Sequence, residues 1–195
     1  YIATDGTDTL TGVDSGAIQQ EVCGVGTFSL VGASACVTAQ AGYYTVDANN
    51  AVLSRPWTGA VSEVQAGEGL FTIDVNGDAT ASGAVNVQQA QLGYYTVSSV
   101  GGTTATASGA VDEAQAPAGY YTVDSGNVPT NSGASDMEPC ASGYFSSAGA
   151  TICTQASAGY FTTDGFGTAT NGAGASAQEA CASGYFSSTA GATVC

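Results

Sequence analysis

Gly42-Tyr43-Tyr44-Thr45-Val46, written GYYTV, is the stretch that decides the fold, because the same five residues return from Gly93 and again from Gly119. Related motifs elsewhere keep the glycine, an aromatic residue and a hydroxyl residue. The eight motif glycines are Gly26, Gly42, Gly69, Gly93, Gly119, Gly143, Gly159 and Gly184. One short motif recurring along a chain is the signature of a tandem-repeat architecture, whose neighbouring units share a core.

A Gly-Ala pair precedes every motif glycine by ten residues. These pairs begin at Gly16, Gly32, Gly59, Gly83, Gly109, Gly133, Gly149 and Gly174. All variation in length falls between a motif and the next pair, which predicts that this half of each unit is a loop or hairpin tip. We predict a single array of about nine units over residues 1–195. Both ends fall within a unit, since Tyr1 matches the middle of a motif and Gly191-Ala192 opens a further one.

The motif residues favour β-strands over helices. Tyr-Tyr-Thr-Val combines aromatic and β-branched residues, and Asp, Asn, Ser and Gly clusters follow it. A second apolar alternation occurs in Gly83-Ala84-Val85-Asn86-Val87. The predicted fold is therefore all-β, an elongated rod of small two-stranded units. The alternative is a short helix in Val61-Ser62-Glu63-Val64-Gln65-Ala66, but glycines at fixed intervals disfavour it.

Composition and charge restrict the partners. Leu, Ile, Val and Phe number only 33 of 195 residues, so repetition and cysteine cross-links must supplement the aliphatic core. The formal net charge is -15, with one basic residue, Arg55. Binding to nucleic acid or to an anionic membrane surface requires Lys and Arg, so both classes of partner are excluded. No apolar run is long enough for membrane insertion.

The six cysteines follow the repeat frame. Cys23, Cys140 and Cys181 lie three residues before a motif glycine, where the other five units have Ala. Cys36, Cys153 and Cys195 lie four residues after a Gly-Ala glycine. Six cysteines allow 15 pairings, and locality favours the disulfides Cys23–Cys36, Cys140–Cys153 and Cys181–Cys195. An even number of cysteines in this composition predicts an oxidising, extracellular compartment.

The segment from Cys140 to Cys153, CASGYFSSAGATIC, and its near repeat from Cys181 to Cys195 resemble the cysteine-rich ephrin-receptor-like repeats of extracellular proteins. In that family a third cysteine follows, and here Ala39 and Ala156 occupy its place. The full pattern covers about a fifth of the chain. The resemblance implies an extracellular rod of small β units, as in large surface and matrix proteins of algae and other protists, and implies no particular ligand.

No catalytic constellation stands out in the sequence. The chain has no His or Lys, and the predicted disulfides use every Cys. Carboxylate pairs serve glycosidases, but the acids here lie in repeated turns, so we predict that the protein is not an enzyme. Asp74, Asn76 and Asp78 have the first ligand spacings of a calcium loop, yet Ala79 replaces the required Gly. An acidic hairpin turn is the preferred interpretation, and we expect no cofactor.

Serine and threonine are candidates for covalent sugars. No Asn-x-Ser/Thr sequon occurs, which argues against N-glycosylation. The densest hydroxyl stretch contains the O-glycan candidates Ser98, Ser99, Thr103, Thr104 and Thr106. The alternative is that these side chains are simply solvated strand and turn residues.

Two functions fit these patterns. The first is a structural subunit of an extracellular fibre or cell-surface matrix, associating end to end with itself or with other matrix proteins and glycans. The second is the stalk or ectodomain of a surface receptor or adhesin that binds a protein or glycan. Leu53-Ser54-Arg55-Pro56-Trp57 bears on the second, because it holds the only Arg and the only Trp, a pair typical of binding hot spots. A packing role for this pair, specific to the longest unit, is the preferred interpretation.

Overall fold

A computed structural model describes residues 2–4 and 19–195. These residues form β-strands, turns and irregular segments with no helix among them. The predicted fold class, all-β with small two-stranded units stapled by local disulfides, is confirmed. The Gly-Ala pair at Gly16 lies outside the described residues. Ser62–Gln65 is a strand rather than part of a short helix.

The strands are short and numerous. Their bounds are β1 Ile2–Thr4, β2 Gln19–Glu21, β3 Thr27–Phe28, β4 Val37–Thr38, β5 Tyr43–Val46, β6 Ser62–Gln65, β7 Leu70–Ile73, β8 Asn86–Gln89, β9 Tyr94–Val97, β10 Asp112–Gln115, β11 Tyr120–Val123, β12 Asp136–Pro139, β13 Tyr144–Phe145, β14 Thr154–Gln155, β15 Tyr160–Thr163 and β16 Ala177–Ala180. Each odd-numbered strand pairs with the next even-numbered one. Every motif strand from β3 to β15 therefore forms a hairpin with the segment that follows the next Gly-Ala pair.

In each hairpin the motif strand pairs with a return strand in which at least half of the residues are polar. In the β5–β6 pair, which is antiparallel, Tyr44 lies opposite Val64 and Val46 opposite Ser62. The return strand of the following hairpin, Asn86–Gln89, includes only the last two residues of the predicted Gly83-Ala84-Val85-Asn86-Val87 alternation. Ala84 instead forms an isolated parallel bridge with Tyr44 of the preceding hairpin. The Gly-Ala pair is thus a contact between hairpins and not part of a strand.

The disulfides occur in the shortest hairpins. Cys23–Cys36 joins the residue four before β3 to the residue directly before β4, and Cys140–Cys153 joins the same positions of β13 and β14. The strands of both hairpins have two residues each. Cys181–Cys195 spans the third short segment, with a Cα–Cα distance of 5.6 Å. Two-residue ladders supply few hydrogen bonds, and closing a loop of about 15 residues contributes roughly 3 kcal/mol in the chain-entropy model. Disulfides therefore compensate for short hairpins, while the cysteine-free units have four-residue strands.

The chain divides into two compact units. The first contains residues 1–89, 97–104 and 108–112, and the second contains residues 90–96, 105–107 and 113–195. In each, the core consists largely of small side chains. Fully buried examples in the first unit include Ala39, Val46, Ala60, Ala66, Thr45 and Thr72; those in the second include Ala116, Val123, Ala134, Ala156, Thr122 and Thr162. Small residues let neighbouring backbones approach closely, which explains the low content of large aliphatic residues.

Candidate functional site

The contact between a motif and a Gly-Ala pair recurs with the same hydrogen bonds. In the first unit, the N–H of Gly83 donates to the carbonyl of Ala39 at 2.9 Å, and the N–H of Gly109 donates to that of Ala66 at 2.8 Å. In the second unit, the N–H groups of Gly149 and Gly191 donate to Ala116 and Ala156. The acceptor is always the residue three before a motif glycine. We use the name docking contact for this backbone hydrogen bond, together with the Gly-Ala pair that donates it and the residue that accepts it.

The hydroxyl residue of the motif completes the docking contact. The N–H of Thr45 donates to the carbonyl of Ala84 at 3.0 Å, and in the second unit Thr162 donates in the same way to Ala192 at 3.1 Å. Thr72 and Thr122 also use their hydroxyls, which donate to hairpin carbonyls of Thr80 and Thr130 at 2.6 and 2.7 Å. The Thr45 hydroxyl instead donates to the Ala84 carbonyl of another hairpin at 3.3 Å. Buried threonine hydroxyls are therefore satisfied either within their own hairpin or across the docking contact.

Five motif glycines, Gly26, Gly42, Gly93, Gly119 and Gly143, lie directly against the third Gly-Ala glycine that follows them in the sequence. A methyl group added to Gly42 would overlap the carbonyl of Gly109, and one added to Gly119 would overlap the carbonyl of Gly174. Gly42 and Gly119 also have positive φ values of 74° and 89°. Backbone proximity and backbone conformation both require glycine here. The sequence frame identified both glycines but not which glycine meets which.

Asp74, Asn76 and Asp78, the weak candidates for calcium ligands, lie in a hairpin turn whose geometry recurs in other units. Asp74 Oδ1 accepts the backbone N–H groups of Asn76 and Asp78 at 2.8 and 3.0 Å, and Asn76 Nδ2 donates to Asp74 Oδ2 at 3.3 Å. Asp47 and Asp124 accept two backbone N–H groups in the same pattern. Within residues 2–4 and 19–195 no cluster of three metal-ligating side chains occurs. In this geometry the Asp74 carboxylate closes a turn.

In two of these turns the hydrogen bonds also lower the pKa of the Asp side chain that accepts them. Backbone donation from Asn76, followed by that from Asp78, lowers the pKa of Asp74, and donation from Ala51 and Asn49 lowers the pKa of Asp47. Burial raises the pKa of the Tyr95 phenol, with a smaller contribution from the charge of Asp136. These shifts hold the carboxylates ionised and the phenol neutral.

The predicted O-glycan sites lie in one hairpin tip. Ser98, Ser99, Thr103 and Thr104 are exposed, whereas Thr106 is half-buried. The Ser98 N–H donates to the Thr104 carbonyl at 3.0 Å, so the tip is closed at its base. Four of the five candidates are thus accessible to a modifying enzyme, and nothing in the geometry favours one of them.

Arg55 and Trp57 lie in the loop between β5 and β6. The Arg55 guanidinium carbon is 4.7 Å from the centroid of the Trp57 ring, a cation–π contact. Arg55 is exposed and Trp57 half-buried. The backbone N–H of Trp57 donates to the Ser54 carbonyl at 2.9 Å, and this hydrogen bond closes a turn. The two predicted recognition residues are therefore together, and the arginine contacts the indole.

A polar clamp was not predicted from the sequence. Glu63 accepts both the backbone N–H and the side-chain amide of Gln40, at 2.8 and 2.9 Å. Glu113 accepts the same two groups from Gln91, each at 2.7 Å. Both glutamines follow the buried residue that lies three before a motif glycine, and both glutamates lie three before the next such residue. This repeated spacing was the available signal. The clamp ties the start of a motif to its own return strand.

Comparison with known proteins gives no match to a family model and no match to a curated protein. The part of the chain that the structure describes contains no helix able to cross a bilayer. The three disulfides are consistent with an oxidising compartment.

Proposed function

We propose that the chain is a structural segment of an extracellular fibre or cell-surface matrix. The observation that supports this proposal is the docking contact, which repeats from hairpin to hairpin with the same backbone donors and acceptors. Seven Gly-Ala glycines donate to the residue three before a motif glycine, at 2.7–2.9 Å. A contact repeated in this way is suited to extending an array, because each hairpin offers both the donor glycine and the acceptor carbonyl that its neighbours use.

The disulfides and the charge fit an extracellular location. Cross-links between cysteines persist outside the reducing cytosol, and a net charge of -15 with one basic residue limits lateral association by repulsion. O-linked sugars on the exposed tip at Ser98, Ser99, Thr103 and Thr104 would add to this effect. The resemblance to ephrin-receptor-like repeats agrees with such a location, and membership of that family stays part of the proposal.

Electron microscopy of material purified from its native source tests the function. We expect linear filaments or a fibrous matrix, with sugar on Ser or Thr detected by mass spectrometry. Only short, separate particles at all concentrations would remove the support for a fibre.

A receptor stalk or adhesin is the second candidate function. It rests on the Arg55–Trp57 contact, which places an exposed guanidinium on an aromatic ring within the longest unit. Arginine and tryptophan are common in binding hot spots. Capture of a matrix protein or glycan by the intact chain, lost on substitution of this pair, would favour the stalk over the fibre.

A further inference from the structure

The sequence contains two Asn-Gly dipeptides, Asn76-Gly77 and Asn171-Gly172, and the structure places them in different surroundings. An Asn-Gly bond is chemically reactive, because the glycine nitrogen can attack the side-chain carbonyl carbon of the preceding asparagine. Glycine has no Cβ to hinder this approach, and its backbone reaches conformations that other residues disfavour. Both asparagines are exposed to solvent. Exposure alone therefore does not distinguish the two sites.

At Asn76-Gly77 both reacting groups are held by Asp74. The side-chain amide nitrogen of Asn76 donates to Asp74 Oδ2 at 3.3 Å, and the backbone N–H of Asn76 donates to Asp74 Oδ1 at 2.8 Å. The N–H of Gly77 donates to the Asp74 carbonyl at 3.2 Å. The attacking nitrogen must lose this proton, and a neighbouring carboxylate disfavours the negative charge that results. The closed turn thus restrains both the glycine nitrogen and the asparagine side chain.

At Asn171-Gly172 neither reacting group is held in this way. Among the described residues, no hydrogen bond involves the Asn171 side chain or the Gly172 N–H. The Asn171 backbone carbonyl accepts the Ser142 hydroxyl at 3.1 Å, which leaves the side chain free to rotate. Residues 165–178 contain no Asp or Glu, so no carboxylate of this segment opposes loss of the Gly172 proton.

The difference follows from the connector, the segment between the threonine that closes a hairpin tip and the next Gly-Ala pair. The β11–β12 hairpin has two residues there, Asn131 and Ser132, and β7–β8 and β9–β10 also have two. The β15–β16 hairpin has three, residues 171–173. Connector residues are exposed in all four hairpins. The exposure of Asn171 is therefore a property of its position in the repeat and not of the place of its hairpin along the chain.

We propose that Asn171-Gly172 is a site of spontaneous deamidation in the folded protein, and that the Asp74 turn protects Asn76-Gly77 from the same reaction. The Gly172 nitrogen forms a bond with Cγ of Asn171, and the side-chain amide leaves as ammonia with the proton that this nitrogen loses. Water then opens the resulting succinimide at one of its two carbonyls, which gives aspartate or isoaspartate at position 171. The reaction transfers no electrons and consumes no co-reactant other than water.

Conversion to isoaspartate changes the main chain beside a docking contact. The main chain then runs through the side-chain carbonyl carbon of residue 171, which lengthens it by one methylene, and the carbonyl that accepts Ser142 becomes a free carboxylate. Three residues further on, the N–H of Gly174 donates to the Cys140 carbonyl at 2.7 Å, and the Gly174 carbonyl lies against Gly119. We therefore expect the isoaspartate to loosen the docking contact made by Gly174.

Peptide mapping by mass spectrometry measures the reaction in the 195-residue chain. The folded protein is incubated at mildly alkaline pH, digested with chymotrypsin and separated so that asparagine, aspartate and isoaspartate are distinguished. We expect Asn171 to react about tenfold faster than Asn76 or more, equivalent to roughly 1.4 kcal/mol of activation free energy. In urea, with the disulfides reduced, the two rates should converge because the turn is lost. Equal rates in the folded protein, or a difference that persists after unfolding, would overturn protection by the fold.

Single substitutions identify the cause of the difference. Asp74→Ala removes the carboxylate that holds the Asn76 amide, so Asn76 should react faster than in the wild type. Asp78→Ala is the matched control, because the backbone N–H of Asp78 rather than its carboxylate joins the turn. Gly172→Ala should slow the reaction at Asn171, since the methyl group hinders the attacking nitrogen and has open space around it. No acceleration by Asp74→Ala, equal acceleration by both Asp variants, or an unchanged rate in Gly172→Ala would contradict the assigned roles.

Urea unfolding measures the effect on docking. Protein incubated until Asn171 has reacted should unfold at a lower urea concentration than fresh protein. Asn171→Asp is the control for charge, because it adds a carboxylate without lengthening the main chain, and its midpoint should stay close to that of fresh protein. A reacted wild type that keeps its midpoint, or an Asn171→Asp variant that loses as much, would refute loosening by isoaspartate. These measurements do not depend on fibre formation, so they leave the proposed function untouched.

Discussion

At the scale of single residues, the motif glycine decides whether two hairpins can meet. Its backbone has a positive φ, and its α-carbon lies against the carbonyl of a Gly-Ala pair, as Gly42 does against Gly109. A left-handed conformation alone disfavours other residues by about 1–2 kcal/mol. Close approach adds a steric requirement that no small change of rotamer can relieve, because both partners are backbone.

Gly42→Ala should destabilise the protein more than Gly77→Ala. Both glycines have positive φ, so both variants should lose about 1–2 kcal/mol through backbone strain. Only the Gly42 methyl group meets backbone, which should cost a further 1–3 kcal/mol, roughly the penalty for overpacking. Urea unfolding of the two variants measures the difference. Equal losses would mean that the docking contact adjusts without cost.

The sequence made part of this residue-scale result predictable. The spacing of ten between Gly-Ala and motif glycines identified the glycines of the contact but not its hydrogen bonds. It could not identify the pairing, because a docked motif glycine contacts the third Gly-Ala pair that follows it rather than its sequence neighbour. Which glycine meets which depends on the path of the hairpins between them, and local spacing does not encode that path.

At the scale of elements, hairpin length and cross-linking are complementary. The hairpins with two-residue strands have a disulfide, and four of the hairpins with four-residue strands close their tips through the side chain of Asp47, Asp74, Asp124 or Asp164. The sequence predicted the hairpins and the local pairing of cysteines because both are local. The Glu–Gln clamp was not predicted, since glutamate and glutamine on a polar surface carry no distinctive pattern until the register is known.

Replacement of Cys140 and Cys153 by alanine should preserve the fold and lower its stability by about 3 kcal/mol. Cys140 is fully buried, and Ala39 and Ala66 are buried in the same way at equivalent positions of the other unit. Circular dichroism should therefore show unchanged secondary structure, with a lower midpoint in urea. Under reducing conditions the variant and wild type should be equally stable. A variant that remained less stable than the reduced wild type would show that the cysteines also have a packing role.

The hairpin tips should make stability depend on pH. The folded-state pKa of Asp74 lies below its unfolded value, so its stabilising contribution is present above about pH 4 and is lost as the pH falls through the folded pKa. Asp74→Asn keeps an acceptor for the turn but does not titrate. We expect its stability to fall less between pH 5 and pH 2 than that of the wild type, measured by thermal unfolding. Asp78→Asn is the control, because the backbone N–H of Asp78 rather than its carboxylate joins the turn. Parallel curves for all three proteins would contradict the proposed role of the Asp74 carboxylate.

At the scale of the whole molecule, repetition replaces a large aliphatic core. Each compact unit buries alanine, threonine and valine where hairpins meet, and a chain with only 33 Leu, Ile, Val and Phe residues forms ordered β-structure in this way. The elongated rod remains a prediction, as does the fibre. The loop between β5 and β6, which contains Arg55 and Trp57, is the longest loop of the repeat units.

Replacement of both Arg55 and Trp57 by alanine should leave self-association unchanged. The pair lies in the β5–β6 loop, and neither residue takes part in the hydrogen bonds of the docking contact. The exposed cation–π contact contributes about 0.5–1 kcal/mol, so the loss of stability should be small. Arg55→Lys, which keeps a cation near the ring, is the matched control. Capture of extracellular glycans or matrix proteins, measured in parallel and lost only in the double variant, would assign the loop to recognition.

The sequence alone determined the class of this protein. The spacing of GYYTV-type motifs and Gly-Ala pairs, the local cysteines and the absence of large aliphatic runs led to an all-β array of cross-linked hairpins, because hairpins and short disulfide loops depend on residues close in the chain. The tertiary structure decided which hairpins meet and which Gly-Ala pair each docked motif glycine contacts. Those features depend on close approach between backbones far apart in sequence, and only the folded arrangement of the hairpins brings them together.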